Sequence, residues 1–146
     1  MNLNDDEGRV ILRRRIAATR EELFDAWTDP EGMRQWMCPG DILAAEVQLD
    51  LRVGGRLLII MRSPSGAYEH RGEFKLIERP TKLVFSWLAK ATNWEPTLVT
   101  IDFLALSDQE TELILTHQAF PTSDVSDRYR GGWQQILAQL ESSVTK

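Results

Sequence analysis

The stretch that decides the fold is Asp124–Val144, DVSDRYRGGWQQILAQLESSV. Val125, Tyr129, Trp133, Ile136, Leu137, Leu140 and Val144 recur at the period of a helix with one apolar face. Gly131 and Gly132 interrupt that helix near its middle. Each interior glycine loses roughly 1 kcal/mol relative to alanine. Two in succession therefore need a reason, and the ordinary one is close approach to, or spare room against, the surface the helix covers. Everything upstream is mostly strand pattern, so that surface is expected to be a sheet. A long helix laid on a curved sheet with room between them describes a pocket.

Working back from the helix, Ile42–Phe120 reads as six strands divided by turn chemistry. Ile42–Leu51 and Arg56–Arg62 flank Gly54-Gly55, a turn or bulge signal, and Ser63-Pro64-Ser65-Gly66 makes the next turn. Over Tyr68–Ile77, Tyr68, His70, Gly72, Phe74 and Leu76 alternate with Glu69, Arg71, Glu73 and Lys75. After a Pro80-Thr81 turn, Lys82–Leu88 puts Leu83, Phe85 and Trp87 on one side, and Ala89–Trp94 reads as a loop. Glu95–Leu106 sets Val99, Ile101 and Phe103 against Thr100 and Asp102. Beyond Ser107-Asp108-Gln109, Thr111–Ala119 sets Leu113, Leu115 and His117 against Glu112, Thr116 and Gln118. Pro121–Ser123 is expected to end the sheet and cap the helix.

At the other end, residues 1–8 (MNLNDDEG) read as a flexible acidic lead-in. Arg9–Ile16 reads as a strand whose Arg13-Arg14-Arg15 run leaves on both faces, a solvated edge more than a binding patch. Thr19-x-x-Glu22 is a capping box, opening a helix with Leu23, Phe24 and Trp27 on its apolar face. Asp29-Pro30 starts a second short helix, which carries Met33, Trp36 and Met37 and stops before Pro39-Gly40. The predicted order is one strand, two short helices, a six-strand meander and one long helix, an α+β chain. Short connections favour antiparallel neighbours, and one-sided alternation leaves a face for the helix to cover.

Bulk properties exclude several classes. At 146 residues the chain fits one domain, and 42% hydrophobic with 27% charged residues is an ordinary globular balance. A net charge of −5 argues against nucleic acid, whose phosphates need a basic face. Cys38 is the only cysteine, so no intrachain disulfide forms, which fits a reducing cytoplasm; with no cationic neighbour its thiol is expected to be inert. The longest apolar run, Leu57–Met61, is too short to span a bilayer, and no signal-peptide core follows the N-terminus. Two histidines and one cysteine make no metal spacing, and nucleophile-elbow and phosphate- or dinucleotide-binding glycine motifs are missing. The expectation is a cytoplasmic domain with no metal or cofactor.

Several phrases resemble a known family. Ala26-Trp27-Thr28-Asp29-Pro30-Glu31, followed by Trp36 and Pro39, is similar to the opening of the family related to the activator of heat-shock protein 90 ATPase. So are Gly54-Gly55-Arg56, Arg71-Gly72-Glu73-Phe74, Leu83-Val84-Phe85-Ser86-Trp87, and Leu115-Thr116-His117 followed by Gly131-Gly132-Trp133. The resemblance runs in order over nearly the whole chain. It implies a single START-like domain over 1–146, of the superfamily that includes the birch-pollen allergen (SRPBCC). The implied architecture is a helix-grip fold, a curved antiparallel sheet wrapped around a C-terminal helix over a cavity. Many relatives carry two adjacent tryptophans after the second short helix; here the second position is Met37, whose flexibility can reshape a pocket rim. The eukaryotic co-chaperone also has a separate N-terminal chaperone-binding domain, for which these 146 residues leave no length.

In a meander, His70, Trp87, Val99 and His117 share one end of the sheet and its covered face. The histidines lie three strands apart, roughly 14 Å on a flat sheet. Each histidine is open to three roles: a satisfied polar residue at a cavity mouth, a ligand-orienting group, or a proton-transfer group. The candidate ligand contacts are Trp36, Met37, Tyr68, His70, Phe85, Trp87, Val99, Ile101, Phe103, Leu115, His117, Tyr129 and Trp133, with Trp94 a lid or a partner contact. The leading functional expectation is non-catalytic binding of a small, largely hydrophobic molecule between sheet and helix. A chaperone-interacting protein acting on a heat-shock protein 90-type ATPase is the second. A cyclase- or dehydratase-type enzyme using His70 or His117 with Tyr68 or Tyr129 is the third. A homodimer through the Arg9–Ile16 edge is also open, though its arginines act against pairing.

Overall fold

A computed structural model describes residues 9–120 and 123–145; the lead-in expected over 1–8 and, within the cap expected at Pro121–Ser123, residues 121–122 lie outside what it describes. The elements are β1 (Arg9–Ile16), α1 (Arg20–Ala26), α2 (Pro30–Trp36), β2 (Ala44–Leu49), β3 (Arg56–Ser63), β4 (Gly66–Glu78), β5 (Lys82–Ala89), β6 (Thr97–Ser107), β7 (Glu110–Gln118) and α3 (Ser123–Val144). Both short helices start where their caps dictate. Thr19 Oγ1 accepts from the Glu22 N–H at 3.0 Å while Glu22 Oε1 accepts from the Thr19 N–H at 2.9 Å. Asp29 accepts from the Glu31 N–H at 3.2 Å, with Pro30 at the first helical position.

The seven strands form one curved, unclosed antiparallel sheet in the order β1-β7-β6-β5-β4-β3-β2. Consecutive strands β2 to β7 pair as hairpins, and β1 takes the edge beside β7. Register lines up the covered face: Val10 and Val99 both oppose His117, Phe85 opposes Val99, Phe74 opposes Phe85, and Ile59 opposes His70. Of these, Ile59, Phe74, Phe85 and Val99 bury in one cluster with Trp133, Ile136, Leu137 and Leu140 of α3 and Leu23, Phe24, Trp27 and Met33 of the short helices, while Val10 packs in a second with Phe120 and Val125. Gly72 is required where it stands, since a Cβ there would lie 2.0 Å from the Ser86 carbonyl oxygen on β5.

Two expectations are corrected. Leu76 does not continue the inward row of β4. One extra residue between Phe74 and Leu76 shifts the register, so Ile77 opposes the buried Leu83 and packs on the core instead. Ala89–Trp94 is also no open loop. β5 runs through Ala89, a 3-10 turn spans Lys90–Thr92, and Asn93 and Trp94 take left-handed φ of 56° and 59°. The Asn93 N–H reaches the Lys90 carbonyl and the Trp94 N–H the Ala89 carbonyl, both at 2.9 Å, a Schellman closure. Inside it the buried Thr92 hydroxyl accepts from the Ala89 N–H at 3.1 Å.

Candidate functional site

His117 is fully buried on β7, and its neighbours determine where its proton sits. The Trp133 Nε1–H donates to His117 Nδ1 at 2.9 Å, and an indole nitrogen can only donate, so the ring proton is on Nε2. Nε2–H donates to Thr97 Oγ1 at 2.7 Å, and the Thr97 hydroxyl donates to the Trp87 carbonyl at 2.6 Å. A donor-only indole at one end and an acceptor-only carbonyl at the other fix the direction of the whole chain. Burial pushes the His117 pKa down to about 3, so the ring is neutral at pH 7. Phe120 and Tyr129 pack on its ring at 4.1 and 5.0 Å between centroids. This histidine ties α3 to the sheet.

Beside this chain a cleft of about 480 Å³, open on one side, runs between α3 and the sheet. Trp87 of β5 and Trp133 of α3 form its inner wall, their rings 5.4 Å apart. Met61, Tyr68 and His70 contribute from β3 and β4, Pro39 and Ile42 from the connection after α2, and Tyr129 and Ile136 from α3. Gly132 borders the cleft as well. A Cβ there would meet only Pro39 Cβ, at 3.9 Å, and a Cβ at Gly131 would meet nothing within 4 Å. Both glycines therefore leave spare room, and neither marks close approach.

Two polar groups face this apolar space. His70 is 8% exposed, and its Nδ1 lies 3.2 Å from the Ile59 carbonyl oxygen. A carbonyl only accepts, so Nδ1 carries the proton and Nε2 presents a lone pair. Burial lowers the His70 pKa, opposed by the Ile59 and Tyr68 carbonyls and by Glu69. Tyr129 Oη accepts from the Trp87 Nε1–H at 3.1 Å, which leaves its own O–H as a donor, and burial raises its pKa. At the rim stand Lys90, Arg128, Asp41 and Glu69, the last paired with Arg71. Arg71 in turn lies 5.2 Å above the ring of Trp94, which also lines the cleft and is 44% exposed.

Of the sequence-derived candidates, the structure brings Tyr68, His70, Trp87, Tyr129 and Trp133 together around the cleft. Phe85, Val99, Ile101, Phe103 and Leu115 share the covered face but are packed solid in the core, outside the cleft. His117 is sealed behind Trp87 and Trp133. Trp36 and Met37 are buried too, Trp36 with its edge on Trp27 at 4.8 Å; the segment beyond them, Pro39 to Ile42, reaches the cleft in their place. The physical reason is depth: alternation tells which face is covered, while α3 and the short helices fill most of that face. Met61 and Ile136 carried a signal in their apolar spacing; Pro39 and Ala91 carried none. Burial raises the Cys38 pKa, away from thiolate chemistry. Among the described residues no group of three His, Cys, Asp or Glu converges on a metal site, and no helix is long and apolar enough to cross a membrane.

A curved antiparallel sheet gripping a C-terminal helix, with a cleft left between them, defines a helix-grip domain of the START (SRPBCC) class. Over residues 17–145 the sequence matches the family described as activator of Hsp90 ATPase homolog 1-like protein, and the chain belongs to that family. No curated protein matches the chain. Among solved structures, a Chromobacterium violaceum protein is similar at a TM-score of 0.85 and 22% identity, covering 95% of this chain and 98% of its own. An Hsp90 activator from Plasmodium falciparum is similar at a TM-score of 0.76 and 26% identity, covering 92% and 94%. A Rhodobacter sphaeroides protein matches at a TM-score of 0.80 and 24% identity, covering 94% and 93%.

Proposed function

We propose that this protein binds a small, largely hydrophobic molecule in the cleft between the sheet and α3, without transforming it. The observation that carries the reading is an apolar space of about 480 Å³ lined by His70 and Tyr129, whose Nε2 acceptor and O–H donor are not used by their bonds to Ile59 and Trp87. That volume lies within the roughly 300–1,000 Å³ of small-molecule sites. Binding is favoured over turnover because His117 is committed on both nitrogens to Trp133 and Thr97. The test is native mass spectrometry of freshly purified protein beside its denatured mass, followed by a thermal-shift screen of apolar compounds. A reproducible adduct, or a compound that raises Tm in proportion to the logarithm of its concentration, is expected. A bare chain that no compound stabilises would overturn the reading.

A second reading, modulation of an Hsp90-type ATPase, is favoured by the family and by the activator from Plasmodium falciparum among its structural neighbours. It predicts a change in the chaperone's ATP turnover on adding this protein. Turnover unchanged at saturating protein would remove it.

A further inference from the structure

We propose that the cleft selects a hydroxyl-bearing apolar ligand, whose polar end donates a hydrogen bond to His70 Nε2 and accepts one from Tyr129 Oη. The proposal rests on the binding reading above and adds the chemistry of the ligand's polar end. Each group's role is set by a partner that can play only one part. The Ile59 carbonyl takes the Nδ1–H of His70, so Nε2 is an acceptor; the Trp87 indole gives its N–H to Tyr129, so the phenol's own hydrogen is left to donate. Both groups are seated on one indole. The His70 ring lies 4.9 Å from the Trp87 ring, and Tyr129 Oη lies 3.1 Å from Trp87 Nε1. Trp87 is itself held through its carbonyl by Thr97, and through Thr97 by His117 and Trp133. The donor and acceptor are thus presented by the rigid core, with no loop setting their placement.

A hydroxyl offers both a proton and lone pairs. An ether satisfies Tyr129 but leaves His70 Nε2 facing apolar matter, and a hydrocarbon leaves both groups unmet. A carboxylate accepts from Tyr129 but sets its charge against the His70 lone pair. An unmet, desolvated hydrogen-bonding group weakens binding by about tenfold or more.

The experiment measures Kd at pH 7.5 for 2-naphthol, 2-methoxynaphthalene, naphthalene and 2-naphthoate, by tryptophan fluorescence and calorimetry, on the wild type and on Tyr129→Phe. The wild type is expected to bind 2-naphthol at least tenfold tighter than naphthalene, with the methoxy compound between them and the carboxylate weakest. In Tyr129→Phe the naphthol advantage should shrink to a few-fold while naphthalene binds as before, which also reports that the cleft is intact. If the variant does not fold, the order of the four probes on the wild type decides. Equal affinity for naphthol and naphthalene overturns the proposal and leaves the binding reading standing. Tightest binding of 2-naphthoate overturns it in favour of the rim cations Lys90 and Arg128. Binding of none of the four overturns the proposal, and the binding reading is then decided by its own adduct and thermal-shift test.

Discussion

At the scale of single residues, the buried aromatic and polar side chains act through what each can donate or accept. His117 is neutral because burial penalises its charged form, and that gives the fold a pH dependence. With a folded-state pKa of about 3 against about 6.5 unfolded, the unfolded chain binds the extra proton between those values. Stability from this group is therefore complete above pH 6.5 and is lost as pH falls toward 3. Between pH 8 and pH 5 the loss amounts to about 2 kcal/mol. His70, also shifted down by burial, acts with the same sign. Urea midpoints should be nearly level from pH 8 to about 6.5 and fall from there to pH 5 for the wild type; a profile flat throughout would contradict a neutral, buried His117. Thr97→Val tests the chain next to it. The substitution keeps the side chain's shape but leaves the His117 Nε2–H unpaired in the core and removes the hydroxyl's bond to the Trp87 carbonyl, which stays paired in the β5–β6 ladder. We expect a loss of about 2–3 kcal/mol in the same assay, and a loss under 0.5 kcal/mol would show that the chain contributes little.

At the scale of elements, local rules account for most of what is seen. The Thr19–Glu22 box and the Asp29-Pro30 start are satisfied within a few residues, so the helix starts were legible where they occur. The β4 bulge was not. Lys75 and Leu76 look like any other members of an alternating strand, and the extra residue appears only when β4 must match both Phe85 and Leu83 on β5. The turn after β5 was unreadable for a different reason: it closes locally, through the Thr92 hydroxyl on Ala89 and Glu95 and through left-handed Asn93 and Trp94, with no glycine to announce the positive φ. α3 separates its two glycines by function. A Cβ at Gly131 would meet nothing within 4 Å, so Gly131→Ala should stabilise the protein by about 0.5–1 kcal/mol through helix propensity alone, read as a higher Tm. A fall in Tm would mean that the position faces a contact.

At the scale of the whole molecule, the cleft exists because α3 leaves a side-chain-free stretch opposite Pro39. Gly132→Leu should fill that stretch. We expect it to change stability by less than about 1 kcal/mol, since the helix gains propensity and the added methyls meet open space. We also expect it to abolish any co-purified adduct and weaken naphthalene binding at least tenfold. Unchanged binding would place the ligand elsewhere.

What the sequence determined by itself was the set of elements, their covered faces, the α+β architecture and the family, because alternation, helical period and capping depend on residues a few positions apart. The resemblance in the Trp27–Pro30 and Gly131–Trp133 phrases is local in the same sense. Tertiary structure decided the partnership of β1 with β7 and the inward turn of Ile77. It also decided which half of the covered face is solid core and which half is cleft. These depend on how α3 and the short helices fill the curve of the sheet. That is a matter of volume shared among residues far apart in the chain, which no pattern along a single strand records.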